Sequence, residues 1–369
     1  MIKYIGSKRV LVPLISDVIQ MVSRDGTVVD MFSGTSRVGH ALKRRGFRVH
    51  ANDVNTYASV LARCYIQADA ETVSSDVRRL LEEMSRAPSL HGYFTRTFCE
   101  ESRYFQPHNG MRVDGMREWI ARQDFDDDVA AVLLVALMEA ADRVDSTTGV
   151  QMAYLKEWAP RSFNDLELRT PDVLPRASAG RGSAHQMDAG AAARTLTGDI
   201  GYLDPPYNQH SYLGNYHIWE TLCRWDFPES YGVAKKRLDC RERKSPFNSK
   251  PRIRAALQEV VDNLDVRHLV LSFSNEGYID FDDVVEVVRR RGEVLVIEAD
   301  HKRYVGAQIG IHNPRGERVG EVSHLRNKEF LFVVPDPNAD FDRVASDLDD
   351  CVRIHGARCI SPDRLTEAG

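Results

Sequence analysis

Asp204, Pro205, Pro206 and Tyr207 put a carboxylate, two residues without an N–H and an aromatic ring in four consecutive positions. The chemistry this suits is activation of an amine whose lone pair is delocalised into a ring, such as the exocyclic amine of adenine. Acceptors on both amino hydrogens, the Asp204 carboxylate and the Pro205 carbonyl, would draw that lone pair back onto nitrogen. Lacking N–H groups, the prolines leave the carbonyl free to face a pocket. Tyr207 would stack on the base, a contact worth roughly 1–3 kcal/mol. Asp-Pro and Pro-Pro are also ordinary turn dipeptides, so the four residues alone do not exclude a plain strand-ending turn.

The element that must position them is the apolar run Ile200 to Leu203, which predicts a short buried strand ended by the two prolines. In open α/β sheets, ligands bind where strands end. A second such place is predicted earlier. Thr27 to Phe32 is a β-branched strand leading into Ser33-Gly34-Thr35-Ser36; Arg37 to Arg45 is a helix ending at Gly46; Phe47 to Ala51 is a strand closed by Asn52-Asp53. Asp53 lies 23 residues after Asp30, near the ~20-residue offset of a ribose-binding acid. Gly34 stands alone where a nicotinamide dinucleotide site needs three spaced glycines. Asp188 precedes an alanine-rich helix sixteen residues before Asp204, another acid where a short strand enters a helix.

Composition bounds the rest. The chain has 369 residues, 43% hydrophobic and 28% charged, with net charge −5, as expected of a soluble globular protein with ample core. No apolar stretch approaches the ~18 residues of a membrane span, and the start lacks the apolar region of a signal peptide. Six scattered cysteines without a C-x-x-C pair argue against zinc or disulfide frameworks and fit a reducing, cytoplasmic setting. A negative chain needs a local basic patch to hold nucleic acid. Residues 235–254 supply one, with nine Lys/Arg against two acids. A solvated face is the plain alternative for that run.

Helical patterns at Thr56 to Leu81 and Val129 to Val144, with no strand-like alternation from about 70 to 180, predict a helical insertion. The expected organisation is a catalytic core of 1–69, 181–207 and 265–335, the helical insertion 70–180, a substrate insertion 208–264 and an acidic tail 336–369. Strands are expected at His268 to Phe273, Val294 to Ile297 and Glu329 to Val334, the last paired near Lys302 to Gln308. Nothing in the tail suggests chemistry.

With Lys3-Tyr4-Ile5-Gly6-Ser7-Lys8, Asp30-Met31-Phe32-Ser33-Gly34 and Asp204-Pro205-Pro206-Tyr207 in place, the chain resembles the Dam-like N6-adenine DNA methyltransferases from about residue 3 to residue 335. Asn215-Tyr216-His217, Glu220-Thr221-Leu222 and Leu271-Ser272-Phe273-Ser274 are supporting matches. The resemblance implies an α/β, Rossmann-like fold with a seven-stranded mixed sheet and S-adenosylmethionine as cofactor. It implies that Tyr4 and Lys8 close over the cofactor, Lys8 pairing with its carboxylate. Asp30, Phe32, Ser33 and Gly34 would line its methionine side, Asp53 would accept from the ribose hydroxyls and Asp188 from the adenine amine. The implied substrate is double-stranded DNA with the target adenine flipped out. The basic insertion would contact it, with Lys235, Lys236, Arg237, Arg243 and Lys244 as candidates. A cognate restriction endonuclease is a candidate partner; neither membrane nor metal is expected, and the setting would be the bacterial cytoplasm around the nucleoid. The family turn usually carries a second glycine where this chain has Ser36. An RNA adenine methyltransferase and a catalytically inactive DNA-binding specificity partner are the alternatives.

Overall fold

A computed structural model describes residues 1–302, 311–312, 318–320 and 326–362. Strands are numbered along the chain: β1 (Thr27–Asp30), β2 (Arg48–Asn52), β3 (Ser183–His185), β4 (Ile200–Leu203), β5 (Ser230–Tyr231), β6 (Lys236–Arg237), β7 (His268–Ser274), β8 (Leu295–Lys302), β9 (Ile311–His312), β10 (Arg318–Gly320), β11 (Arg326–Val334) and β12 (Arg358–Ile360). Among the described residues the large sheet is mixed and has eight strands. The chain divides into two compact units, one of Met1–Arg9, Phe32–Ala189 and His210–Ser245, the other of Val10–Met31, Gly190–Gln209 and Pro246–Gly369.

In the second unit the strand order is β12-β8-β11-β7-β4-β1. β1, β4 and β7 run parallel, so their carboxyl ends share one edge. β11 is antiparallel to both β7 and β8. β4 is buried at every position, as a central strand covered on both faces must be. Gly201 sits inside it because a Cβ there would come within 2.7 Å of Leu264, with Val266 and Leu269 also crowding the site. The strand expected from Glu329 starts earlier, at Arg326, and this corrects its pairing. Glu329 to Val333 lie opposite Ala299 to Leu295, and only Arg326 stands opposite Lys302; residues 303–308 lie outside the described residues.

The tail corrects the seven-strand expectation. Phe341–Arg353 is a helix started by the Asp340 side chain, which accepts from the N–H of Arg343. It packs on the Val12–Val22 helix, and His355 stands 2.6 Å from Asp17. β12 then adds an eighth strand, antiparallel to β8 with Cys359 opposite Ile297. Leu348 and Val352, one helical turn apart, are fully buried, so the many aspartates occupy the outer face of an amphipathic helix.

In the first unit β2 and β3 pair in parallel, and the chain between them is helical. Helices Thr56–Ala62, Ala70–Ser85, Pro107–Ala121 and Asp127–Arg143 form the bulk of it. The single helix expected over Thr56 to Leu81 is broken. It ends in a widened turn at Arg63–Gln67, and Asp69 then turns the chain. Its carboxylate is 1% exposed and is held by Lys43 at 3.0 Å and Arg176 at 2.7 Å. A buried carboxylate with two cationic partners decides the local path more strongly than helix propensity does.

Candidate active site

In the second unit, Asp204 follows β4 directly, on the edge where β1 ends. Asp30 of β1 lies in register with Tyr202 of β4, and the Tyr202 carbonyl accepts from the N–H of Met31 at 3.0 Å. The Asp30 side chain is buried, Pro205 is buried, and Asp204, Pro206 and Tyr207 are partly exposed. The turn is held from the loop after β7. The Tyr207 carbonyl accepts from the N–H of Tyr278 at 2.8 Å. Its ring stands 5.7 Å from Phe273 at 58°. Asn248 donates its side-chain amide to the Asn208 carbonyl at 2.7 Å. The segment is thus an anchored kink with a carboxylate and an aromatic ring left partly open.

In the first unit a second cluster gathers around Asp53. Gly34 donates its N–H to Asp53 Oδ2 at 3.1 Å. Asn55 donates to Oδ1 from its backbone at 2.9 Å and from its side chain at 3.1 Å. Burial pushes the Asp53 carboxyl up to about 6; the hydrogen bonds from Asn55 and Gly34 pull the other way, and the charge of Glu220 adds to the rise. The turn leading in is tight. Gly34 has φ +49° and Ser36 φ +60°, with the Ser36 N–H donating to the Ser33 carbonyl at 2.6 Å. Glycine is the residue suited to this left-handed geometry, which accounts for the second glycine usual at the position of Ser36. Ser33 Oγ and Ser36 Oγ are both buried without a hydrogen-bond partner among the described residues.

Tyr4 lies over this turn. Its ring is 3.5 Å from where a Cβ on Gly34 would stand. It is sandwiched between Tyr216 at 4.4 Å and Tyr212 at 5.0 Å, both nearly parallel to it. Its hydroxyl is 3.1 Å from that of Tyr57, and burial raises both phenols well above their ordinary range. Lys3 anchors the segment, its ammonium donating to the Asp142 carbonyl at 2.6 Å and pairing with Asp145 at 2.7 Å. Lys8 is 8% exposed. After β3, the Met187 N–H donates to the Asn52 side chain at 3.0 Å and the Asn52 amide returns a bond to the Met187 carbonyl at 3.2 Å. This places Asp188, which is exposed, beside the end of β2.

The donor and acceptor set of this cluster fits S-adenosylmethionine. Asp53 offers a fixed carboxylate to a diol, Ser33 a buried hydroxyl seeking a partner, and the Gly34 turn a close backbone approach. Asn55 was not found by sequence reasoning, and the stacking of Tyr212 and Tyr216 on Tyr4 was not foreseen, although Tyr216 lies in one of the supporting matches. Asn55 carried a signal, since an asparagine two residues after an acid suits a side-chain-closed turn.

The basic segment has unequal members. Lys236 is partly exposed and Lys244 exposed. Lys235 pairs with Glu101 at 2.7 Å. Arg237 is 2% exposed and donates twice to Asp226, at 2.7 and 2.8 Å, with Asp239 at 3.1 Å. Burial disfavours its charge, but the two aspartates outweigh it and the guanidinium pKa is raised. Arg243 pairs at 2.8 Å with Glu220, which is 0% exposed. Arg237 and Arg243 are therefore taken up by carboxylates of the chain itself, and Lys236 and Arg237 form one strand of the β5–β6 hairpin. A charge count along the chain cannot see those partners.

The family model for D12 class N6 adenine-specific DNA methyltransferases matches residues 4–285. The chain is 29% identical over 339 residues to the Type II methyltransferase M.NlaIII of Neisseria lactamica, covering 89% of this chain and 99% of that protein. It is 30% identical to the Type II methyltransferase M.FokI of Planomicrobium okeanokoites, over 79% of this chain and 47% of that protein. It is 28% identical to the modification methylase StsI of Streptococcus sanguinis, over 83% and 49%. It thus spans nearly all of the first and about half the length of the other two. With both strand-end clusters inside the matched region, the chain belongs to the D12 class N6 adenine-specific DNA methyltransferases.

Proposed function

We propose that the protein transfers a methyl group from S-adenosylmethionine to the N6 amine of an adenine flipped out of duplex DNA, at a specific sequence. The observation that carries this reading is the kink Asp204-Pro205-Pro206-Tyr207 at the carboxyl end of β4, anchored through Tyr278 and Phe273. The cofactor, when bound, supplies an electrophilic methyl on a sulfonium. The protein's own part is alignment and charge. Asp204 and the Pro205 carbonyl accept the two amine hydrogens, and Asp204 stabilises positive charge growing on nitrogen. Tyr207 stacks on the base, and Pro206 keeps the turn rigid. Asp53 holds the ribose hydroxyls, Lys8 the carboxylate and Asp188 the adenine amine. Asp30, Phe32, Ser33 and Gly34 line the methionine side, and Tyr4 covers it. Holding nitrogen, carbon and sulfur in line is positioning catalysis.

Of the five candidates, exposed Lys244 and partly exposed Lys236 are the ones we assign to phosphates, Lys235 being paired with Glu101. The names of the relatives support placing the protein as the modification half of a restriction–modification pair. Methylation-aware sequencing of DNA from cells expressing the chain tests the reading. N6-methyladenine confined to one sequence context is expected, and DNA without it in an expressing culture contradicts the reading.

A further inference from the structure

The turn that carries Asp53 is gripped by a pair of residues from distant parts of the chain. Asp53 accepts from Gly34 and twice from Asn55, so the backbone of Asp53-Val54-Asn55 sets the direction of its carboxylate. Asn55 precedes the helix Thr56–Ala62 without capping it through its own side chain. Glu220, on the helix His217–Arg224, does so instead. It accepts from the Tyr57 N–H at 3.1 Å and from the Thr56 hydroxyl at 2.9 Å. A fully buried carboxylate requires a cation, and Arg243 supplies it at 2.8 Å. The other arm of that guanidinium donates to the Val54 carbonyl at 3.3 Å, directly after Asp53. Asp239 stands 3.5 Å from the same guanidinium.

We propose that Glu220 and Arg243 are positioning residues for the cofactor site, the pair fixing the Asp53 turn, and that Arg243 serves this turn rather than a DNA phosphate. The proposal rests on the reading of Asp53 as the ribose acceptor. Arg243 stands within a run of basic residues, but its geometry is that of a clasp. Glu220, Tyr57 and Tyr4 face Asp53, so the charge balance of the pair also reaches the carboxylate. Loss of Arg243 leaves the Glu220 charge uncompensated and makes Asp53 harder to ionise. Loss of the Glu220 charge makes it easier.

The test is calorimetric titration of the full chain with S-adenosylmethionine, without DNA, from pH about 5 to about 8, a range spanning the Asp53 ionisation. Glu220→Gln and Arg243→Gln should each weaken binding by about tenfold near neutrality, the scale of one charge-assisted hydrogen bond. The acid midpoint of binding should move down in Glu220→Gln and up in Arg243→Gln, and return towards wild type in the double variant and in Arg243→Lys. A purely structural pair would lower the Tm of both single variants without moving the midpoints in opposite directions, and that result overturns the proposal. So does an Arg243→Gln enzyme with wild-type cofactor affinity, or one whose salt slope for DNA binding falls by about one unit, as loss of a phosphate contact requires. Asp53→Ala separates the two levels. If it binds cofactor as wild type does, the reading of Asp53 fails; if it binds weakly while Arg243→Gln binds normally, only the positioning pair fails.

Discussion

The backbone N–H of Gly34 donates to the carboxylate of Asp53 at 3.1 Å. The glycine turn after β1 and the acid after β2, 19 residues apart, therefore meet at one oxygen. With Asn55 on the other oxygen, Asp53 is held in place while its burial keeps it close to protonation.

That balance makes cofactor binding sensitive to mild acid. The Asp53 carboxyl is raised to about 6, so it is protonated below that pH and ionised above it. An ionised carboxylate accepts from both ribose hydroxyls, so affinity for S-adenosylmethionine should fall as pH drops through about 6. Asp53→Ala should weaken binding by about ten- to a hundredfold at neutral pH and abolish this dependence. The contribution to folding has the opposite sign. A raised carboxyl favours the folded state below its unfolded value near 4, and that contribution is lost as pH rises through about 6. Calorimetry across this range checks the first statement and thermal unfolding the second.

Ser36 adopts φ +60° and ψ +20°, and its buried hydroxyl has no hydrogen-bond partner among the described residues. The left-handed cost of roughly 1–2 kcal/mol for a side chain exceeds the extra unfolded freedom of glycine, about 0.5–1 kcal/mol. Ser36→Gly should thus stabilise the protein by about 0.5–1 kcal/mol, raising the Tm by about 1–3 °C. A lower Tm would mean that the hydroxyl makes a contact worth more than the strain.

The basic segment should divide into two classes. Arg237→Met removes the buried cation shared by Asp226 and Asp239, leaving them to Arg224 at 3.0 and 3.1 Å. It should cost roughly 1–3 kcal/mol, below the fully buried figure because both aspartates stay partly exposed and keep that second cation. Lys236→Gln and Lys244→Gln should change stability by less than about 0.5 kcal/mol. Each lysine that contacts phosphate should flatten the slope of log K against log salt by about one unit. An Arg237→Met variant with wild-type Tm and a flattened slope would reverse the assignment.

Several of these positions were legible in the sequence because their signals are local. Two prolines after four apolar residues end β4 where the structure ends it, and the offset from Asp30 locates Asp53 at the end of β2. Other positions depend on partners far along the chain. Tyr4 is stacked by Tyr212 and Tyr216, and no periodicity links residues that far apart. The break at Asp69 depends on Lys43 and Arg176. Arg237 and Arg243 look like surface charge until Asp226 and Glu220 fold against them. The tail reads as solvated acid because its buried contribution reduces to a few residues, chiefly Leu348 and Val352.

The central claim is that Asp204 acts on the target amine. Transfer of labelled methyl from S-adenosylmethionine to duplex DNA, with RNA and single strands as controls, tests it in Asp204→Ala beside wild type. Wild type should label duplex DNA in preference to both controls. The variant should bind the cofactor with nearly wild-type affinity yet transfer more than about a hundredfold more slowly, the scale of a lost transition-state contact to developing charge. Transfer by the variant within about tenfold of wild type would contradict the account.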